Sequence, residues 1–235
     1  MSEPVRERQR LRVIYIAGAK NCGSTLLDAV LGGAAGVRSL GEVAGFHRLQ
    51  PDSECACRMP PEGCGPCQAV LSSLASAPGL PVYQRLSRLP LKERRLHWTL
   101  IGTRRRAGYA RCADGMFEAV AGATGCRVLV DSSKNASRAA ALVHDSRHDV
   151  RVVHLVRDGR GYVQSRRRRA GGGAGRLTAL GSLVAWLAKN VLIGSLLARR
   201  LPPGRYLLVT YEDLMLDPAA TLERIGRFAD LDTSR

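Results

Sequence analysis

The sequence predicts an α/β protein, a three-layer parallel sheet with helices on both faces. Three observations lead there. Short apolar runs of strand length alternate with stretches of helical periodicity. The first run passes through a glycine-bearing turn directly into a helix start. Each run ends in polar or charged residues, which in an open parallel sheet would line the edge where ligands bind.

Val13, Ile14, Tyr15 and Ile16, bounded by Gly18, have the pattern of a strand covered on both faces. Leu26, Leu27, Val30 and Leu31 then share one helical face, which should pack back on the sheet. The join is a helix N-terminus at the carboxyl end of a strand. There the amides of Cys22, Gly23, Ser24 and Thr25 lack intrahelical partners, and the helix dipole favours an anion. Gly18 and Gly23 have the spacing of the Walker A motif, G-x-x-x-x-G-K-[ST]. Ser24, however, stands at the lysine position, and Lys20 is the nearest cation. The turn therefore suits a phosphate or sulfate better than a magnesium-bound nucleoside triphosphate.

Val37 to Leu40 reads as a short strand delivering Gly41 and Glu42 to the same edge. A Cys- and Pro-rich loop and a helical insertion follow at about 50–122, within a single domain spanning 1–235. Arg127 to Val130 is a strand ending in Asp131-Ser132-Ser133-Lys134, with a helix beyond it through Ala139 and Val143. Val150 to Val156 is another, ending in Arg157-Asp158 and leading into a helix that bears Arg166 to Arg169. Gly171 to Gly175 is a linker or lid hinge. Residues 178–198 read as a long, mostly buried helix rather than a transmembrane segment, because Lys189-Asn190 sit at its middle, where a charge costs roughly 3 kcal/mol in a bilayer. Tyr206 to Thr210 is a strand ending in Tyr211-Glu212-Asp213, and Pro218 opens a last helix through Phe228. Lys20, Lys134, Arg157 and Glu212 are expected to converge on one edge.

At 235 residues and 45% hydrophobic content the chain can bury a substantial core. Its formal charge of +16, from 36 Lys and Arg against 20 Asp and Glu, suits anionic ligands. With only 5% aromatic residues it offers little surface for base stacking, so no specific nucleic acid is expected as a partner. No apolar signal-type run precedes the first strand, and a cytoplasmic location is expected. Seven cysteines, an odd number, argue against a disulfide framework. Cys55, Cys57, Cys64 and Cys67, spaced C-x-C-x6-C-x2-C, could close a structural zinc site. The tight C-x-C pair favours free thiols instead, with a disulfide as the third alternative.

The loop AKNCGSTLL, the strand end VDSSKNASRA, the run VVHLVRDGRGYVQSRRR and the late YEDLMLDPAATLERIGRFADLD, in that order, resemble the bacterial PAPS-dependent sulfotransferase family with its P-loop-like fold. The resemblance implies the donor 3′-phosphoadenosine 5′-phosphosulfate (PAPS) and no metal for the chemistry. It puts the 5′-phosphosulfate on Lys20, Asn21, Cys22, Gly23, Ser24 and Thr25, and the 3′-phosphate on Arg157 and Ser165. It makes Lys134 and Lys20 the groups that stabilise charge. Glu42, partly buried, would be the base that takes the acceptor's proton, with His47 as runner-up. One departure stands out: the family loop reads R-S-G-[ST]-T, whereas this chain has Asn21 at the arginine position and Lys20 one residue earlier. The expected partner is a small-molecule or glycan acceptor with a hydroxyl. His154 is expected in the core, bonded through one nitrogen, and Trp186 is expected to fill core rather than stack on adenine. Two other functions compete: a P-loop nucleotide kinase, which would require magnesium, and a non-enzymatic polyanion or nucleic-acid binder, which would bind with steep salt dependence.

Overall fold

The computed structural model describes residues 10–44, 63–75, 103–169 and 176–231. Its sheet has five parallel strands: β1 (Arg12–Gly18), β2 (Val37–Ser39), β3 (Val128–Lys134), β4 (Asp149–Val156) and β5 (Tyr206–Thr210). Their spatial order is β2-β3-β1-β4-β5. The helices are α1 (Ser24–Gly32), α2 (Gly65–Ala75), α3 (Thr103–Thr124), α4 (Ala136–Asp145), α5 (Gly159–Arg169), α6 (Arg176–Val191), α7 (Tyr211–Leu216) and α8 (Pro218–Ala229). Past Val191, α6 continues through a π-helical turn (Leu192–Leu197) and a 3₁₀ turn (Ala198–Arg200).

The apolar run of β1 explains the three layers. Successive side chains point to opposite faces of a strand, so an uninterrupted run needs cover on both. Ile14 and Ile16 enter a core with Leu27, Leu31, Val153, Leu155 and Ile225. Val13, Tyr15 and Ala17 enter a second core with Tyr109, Phe117, Leu142, Ile193 and Leu197.

From β1 the chain runs outward to the edge strand β2, returns to β3 beside β1, and then crosses to β4 on the other side. The reversal falls at the carboxyl end of β1, which is where an open α/β sheet leaves a crevice. Register aligns the three strand ends there. Gly18 lies opposite Leu155, and after an irregularity between Tyr15 and Ala17, Ala17 lies opposite Lys134.

Two expectations about packing are corrected. Of the four apolar residues expected on the packed face of α1, only Leu27 and Leu31 are buried; Leu26 and Val30 are 43% and 41% exposed. The place beside them is taken by Asp28, which turns inward toward Ser39. The helix expected to be mostly buried is instead mostly exposed: across residues 179–200 only Ile193 and Leu197 are buried. It lies against the β4–β5 side of the sheet, next to edge strand β5, and its inward contacts come from Asn190, Ile193 and Leu197. Leu180, Val184, Leu187 and Val191 stay half or more exposed, and Leu183, 40% exposed, also packs against Gly159.

Candidate active site

The turn between β1 and α1 is built to leave amides open. At three other helix starts a side chain caps: Asn135 accepts from Arg138 N at 2.9 Å, Thr210 from Asp213 N at 3.0 Å, and Asp217 from Ala220 N at 3.0 Å. The N-cap of α1 is Gly23, with no side-chain cap. Its φ of 94° is left-handed, and a Cβ placed there would lie 2.3 Å from Tyr211 Cδ2. Only glycine fits both constraints. Asn21 is also left-handed, at φ 63°, a conformation that asparagine tolerates better than most residues. Cys22 is buried, and burial pushes its thiol pKa up, so it brings no competing anion to the turn. Ser24 is buried, while Lys20 and Thr25 are exposed beside the open amides.

The end of β3 supplies the second cation. Lys134 is buried with φ 64°, a conformation unusual for lysine, and its Nζ donates to Ser132 O at 3.1 Å and to Glu42 Oε1 at 2.5 Å. Neighbouring bonds hold this corner. Tyr15 Oη is bracketed by the backbone N and O of Asn135, each at 2.8 Å. Beneath it lies a fully buried ion pair between Arg138 Nη2 and Asp131 Oδ2 at 2.7 Å, with Tyr109 Oη accepting from Arg138 Nη1. Asp131 Oδ1 also accepts from Ser133 N at 3.0 Å, and Ser133 Oγ accepts from Ala44 N at 3.0 Å. The stretch carrying Glu42 is thus tied to the β3 end. Glu42 itself is 64% exposed, which corrects the expectation of partial burial: lying three residues past the end of β2, its side chain sits on the rim rather than under it.

Arg157, just after β4, comes to the same turn. Its Nη1 donates to Asn21 O at 3.5 Å, and its guanidinium lies 4.6 Å from the centre of the Tyr211 ring. Its Nε is buried and has no hydrogen-bond partner. Trp186 Nε1 donates to Arg157 O at 2.9 Å, so the indole ties α6 to the strand end. Glu212 Oε1 accepts from Asp158 N at 3.1 Å, which brings the β5 end to the same corner. Ser165 is half-buried about two turns into α5. The exposed side chains of Arg166, Arg167 and Arg168 follow it.

His154 departs from the reading that gave it one bond. Nδ1 meets Tyr206 Oη at 2.7 Å and Nε2 meets Asn190 Oδ1 at 3.1 Å. Burial lowers its pKa to about 4, so it stays a neutral connector between sheet and α6. Cys64 and Cys67 are buried at the start of α2, but Cys55, Cys57, His47 and the glycine hinge lie outside the described residues. Among the described residues no group of three or more His, Cys, Asp or Glu could hold a metal.

Two contributors escaped the sequence reading. Tyr211 wedges between Gly23 and Arg157; its place directly after a strand end was the available signal. Asp28 is 5% exposed, accepts from Ser39 Oγ at 2.5 Å, and burial raises its pKa to about 6. No pattern in the sequence marks it, because it occupies a helical face that otherwise reads apolar.

Fold and turn together define the class: a parallel α/β protein whose first strand passes through a glycine turn into a helix that opens without a side-chain cap. The family model described as "Sulfotransferase family" matches residues 13–235, and the chain belongs to the sulfotransferase family. Solved structures show the same fold. The sulfotransferase domain from the curacin biosynthetic pathway is similar over 96% of this chain and 76% of its own, at 16% identity and a TM-score of 0.57. The corresponding domain of the Synechococcus PCC 7002 olefin synthase is similar over 98% and 77%, at 21% identity and a TM-score of 0.53. A sulfotransferase from Mycobacterium tuberculosis H37Rv is similar over 96% and 69%, at 15% identity and a TM-score of 0.55. No curated protein matches the chain.

Proposed function

We propose that the protein moves the sulfuryl group of PAPS to a hydroxyl of a small-molecule or glycan acceptor, without a metal. The observation that carries this reading is the approach of Arg157 to the Asn21 carbonyl, which sets a guanidinium with a buried, unpartnered Nε beside the open amides of α1. A ligand with phosphates at two positions of one ribose needs two such anion sites side by side.

Under this reading the amides of Gly23, Ser24 and Thr25, with the two hydroxyls, hold the 5′-phosphosulfate, and Arg157 with Ser165 holds the 3′-phosphate. The acceptor oxygen forms a bond to sulfur as the bond from sulfur to the bridging oxygen breaks. The 5′-phosphate leaves with the electron pair. Its growing charge meets Lys134, preset by its bonds to Ser132 and Glu42 so that it needs little reorganisation at the moment of transfer, and Lys20. The acceptor's proton passes to Glu42, whose exposed carboxylate a hydroxyl can reach, while the contact with Lys134 keeps it aimed. Asn21 leaves the bridging oxygen to Lys20 alone, and Lys20 is exposed and able to swing over the turn.

Calorimetry with 3′-phosphoadenosine 5′-phosphate (PAP), AMP and ATP tests the donor. PAP should bind most tightly, with or without magnesium. PAP binding no better than AMP would remove the 3′-phosphate assignment, and magnesium-dependent preference for ATP would favour a nucleotide kinase.

A further inference from the structure

The exposed face of α6 is a feature that the proposed function does not use. Leu180, Leu183, Val184, Leu187 and Val191 recur at helical spacing and are between 40% and 61% exposed. Side chains at these positions lie on one stripe. A soluble helix normally turns such a stripe inward, yet here the inward face is a different one, formed by Asn190, Ile193 and Leu197. The helix is therefore apolar on two sides and covered on only one.

Charge identifies what covers the other. No Asp or Glu occurs between Asp158 and Glu212, while ten Lys and Arg residues do: Arg160, Arg166 to Arg169, Arg176, Lys189, Arg199, Arg200 and Arg205. The chain carries 36 Lys and Arg in all, so the cations are not unusually dense here; the complete lack of carboxylates is what makes the window basic. Arg199 and Arg200 are exposed at one end of the stripe. Near its other end, α5 packs on α6, with Gly159 against Leu183 and Trp186, and carries the exposed Arg160, Arg166, Arg167 and Arg168. An apolar stripe framed mainly by cations, with the Asp158 carboxylate at its α5 end paired to Arg160, matches a surface that is apolar inside and anionic at its boundary. We infer that this face docks on an anionic lipid bilayer, with α6 lying in the interface plane. A second copy of the chain is the poorer occupant, because two such faces would bring cations against cations. A spanning arrangement would break the contacts of Asn190 with His154 and of Trp186 with Arg157.

Flotation of the full chain with phosphatidylcholine vesicles, with and without phosphatidylglycerol, tests the inference, and it reads binding without any sulfuryl transfer. The chain should float with the anionic vesicles and not with the neutral ones. Two variants separate the components. L180S/V184S/L187S, at exposed positions where folding is undisturbed, should weaken binding by about 100-fold, from the lost apolar burial. R199Q/R200Q should weaken it by roughly 10- to 30-fold and flatten its salt dependence. Thermal melts matching the wild type would establish that both variants are folded. Absence of binding to anionic vesicles, equal binding to neutral ones, or binding that neither variant changes would overturn the inference. So would light scattering that shows a dimer which L180S/V184S/L187S converts to a monomer.

Discussion

Replacing Asp28 by Asn should stabilise the protein near neutral pH, and the size of the gain follows from the site. Asp28 sits on α1, 5% exposed, with Oδ2 accepting from Ser39 Oγ and Oδ1 buried without a partner. Burial is the main cause that lifts its pKa from 3.8 to about 6, with the Asp131 and Glu42 carboxylates adding to it and Ser39 and Lys134 opposing. The folded chain thus holds the Asp28 proton more tightly than the unfolded chain. Stability from this group is full below about pH 4 and is lost as pH rises toward about 6. Two pKa units correspond to about 3 kcal/mol, an upper figure because the helix end can relax. Asparagine is neutral at every pH and keeps an oxygen for the Ser39 hydroxyl. Urea unfolding of wild type and D28N at a series of pH values isolates the effect, since other titrating groups cancel in the difference. The two proteins should be equally stable at pH 4, and D28N should gain about 1–3 kcal/mol by pH 7. Parallel curves across the range, or a less stable D28N at pH 7, would refute the reasoning.

Three further outcomes follow from the same geometry. R138M leaves Asp131 buried without its partner and should cost about 3–5 kcal/mol in chemical unfolding, whereas D131N/R138M should recover much of that loss. G23A forces alanine into a left-handed backbone and against Tyr211. It should lower stability by at least about 1–2 kcal/mol and abolish PAP binding by calorimetry, while Y211A/G23A relieves only the clash. Y15F removes the hydroxyl that brackets the Asn135 backbone and should destabilise by roughly 1–3 kcal/mol, read as a lower melting midpoint.

What the sequence revealed was local. The run Val13 to Ile16, the turn glycines and the strand ends could be read because strand burial on both faces, left-handed turns and open helix amides each leave a mark within a few residues. The convergence of Lys134 and Arg157 on the turn at Gly23 also followed, since parallel strands share one carboxyl edge. The errors came where one apolar pattern has two physical solutions. The periodicity of α6 shows that a face is apolar, not that the fold supplies a surface to bury it, and an edge strand covers only one side of a helix. Glu42 was placed correctly at the edge that carries the turn, but its contact with Lys134 and its exposure depend on how far the turn after β2 extends, which side-chain types do not specify. His154 was read with one bond because both of its partners, Tyr206 and Asn190, are distant in sequence. Asp28 was invisible because its partner Ser39 is recruited through tertiary contact.

The account rests on two neighbouring anion sites, one of amides at Gly23 and one of guanidinium at Arg157, acting on one bisphosphorylated adenosine. The direct test is the ratio of PAP to AMP affinity in wild type and R157A. The account predicts a wild-type preference for PAP of about 10- to 100-fold, from a charge-assisted contact worth roughly 1.5–3 kcal/mol, falling to near unity in R157A while AMP affinity changes little. An R157A protein that keeps the wild-type preference would contradict it.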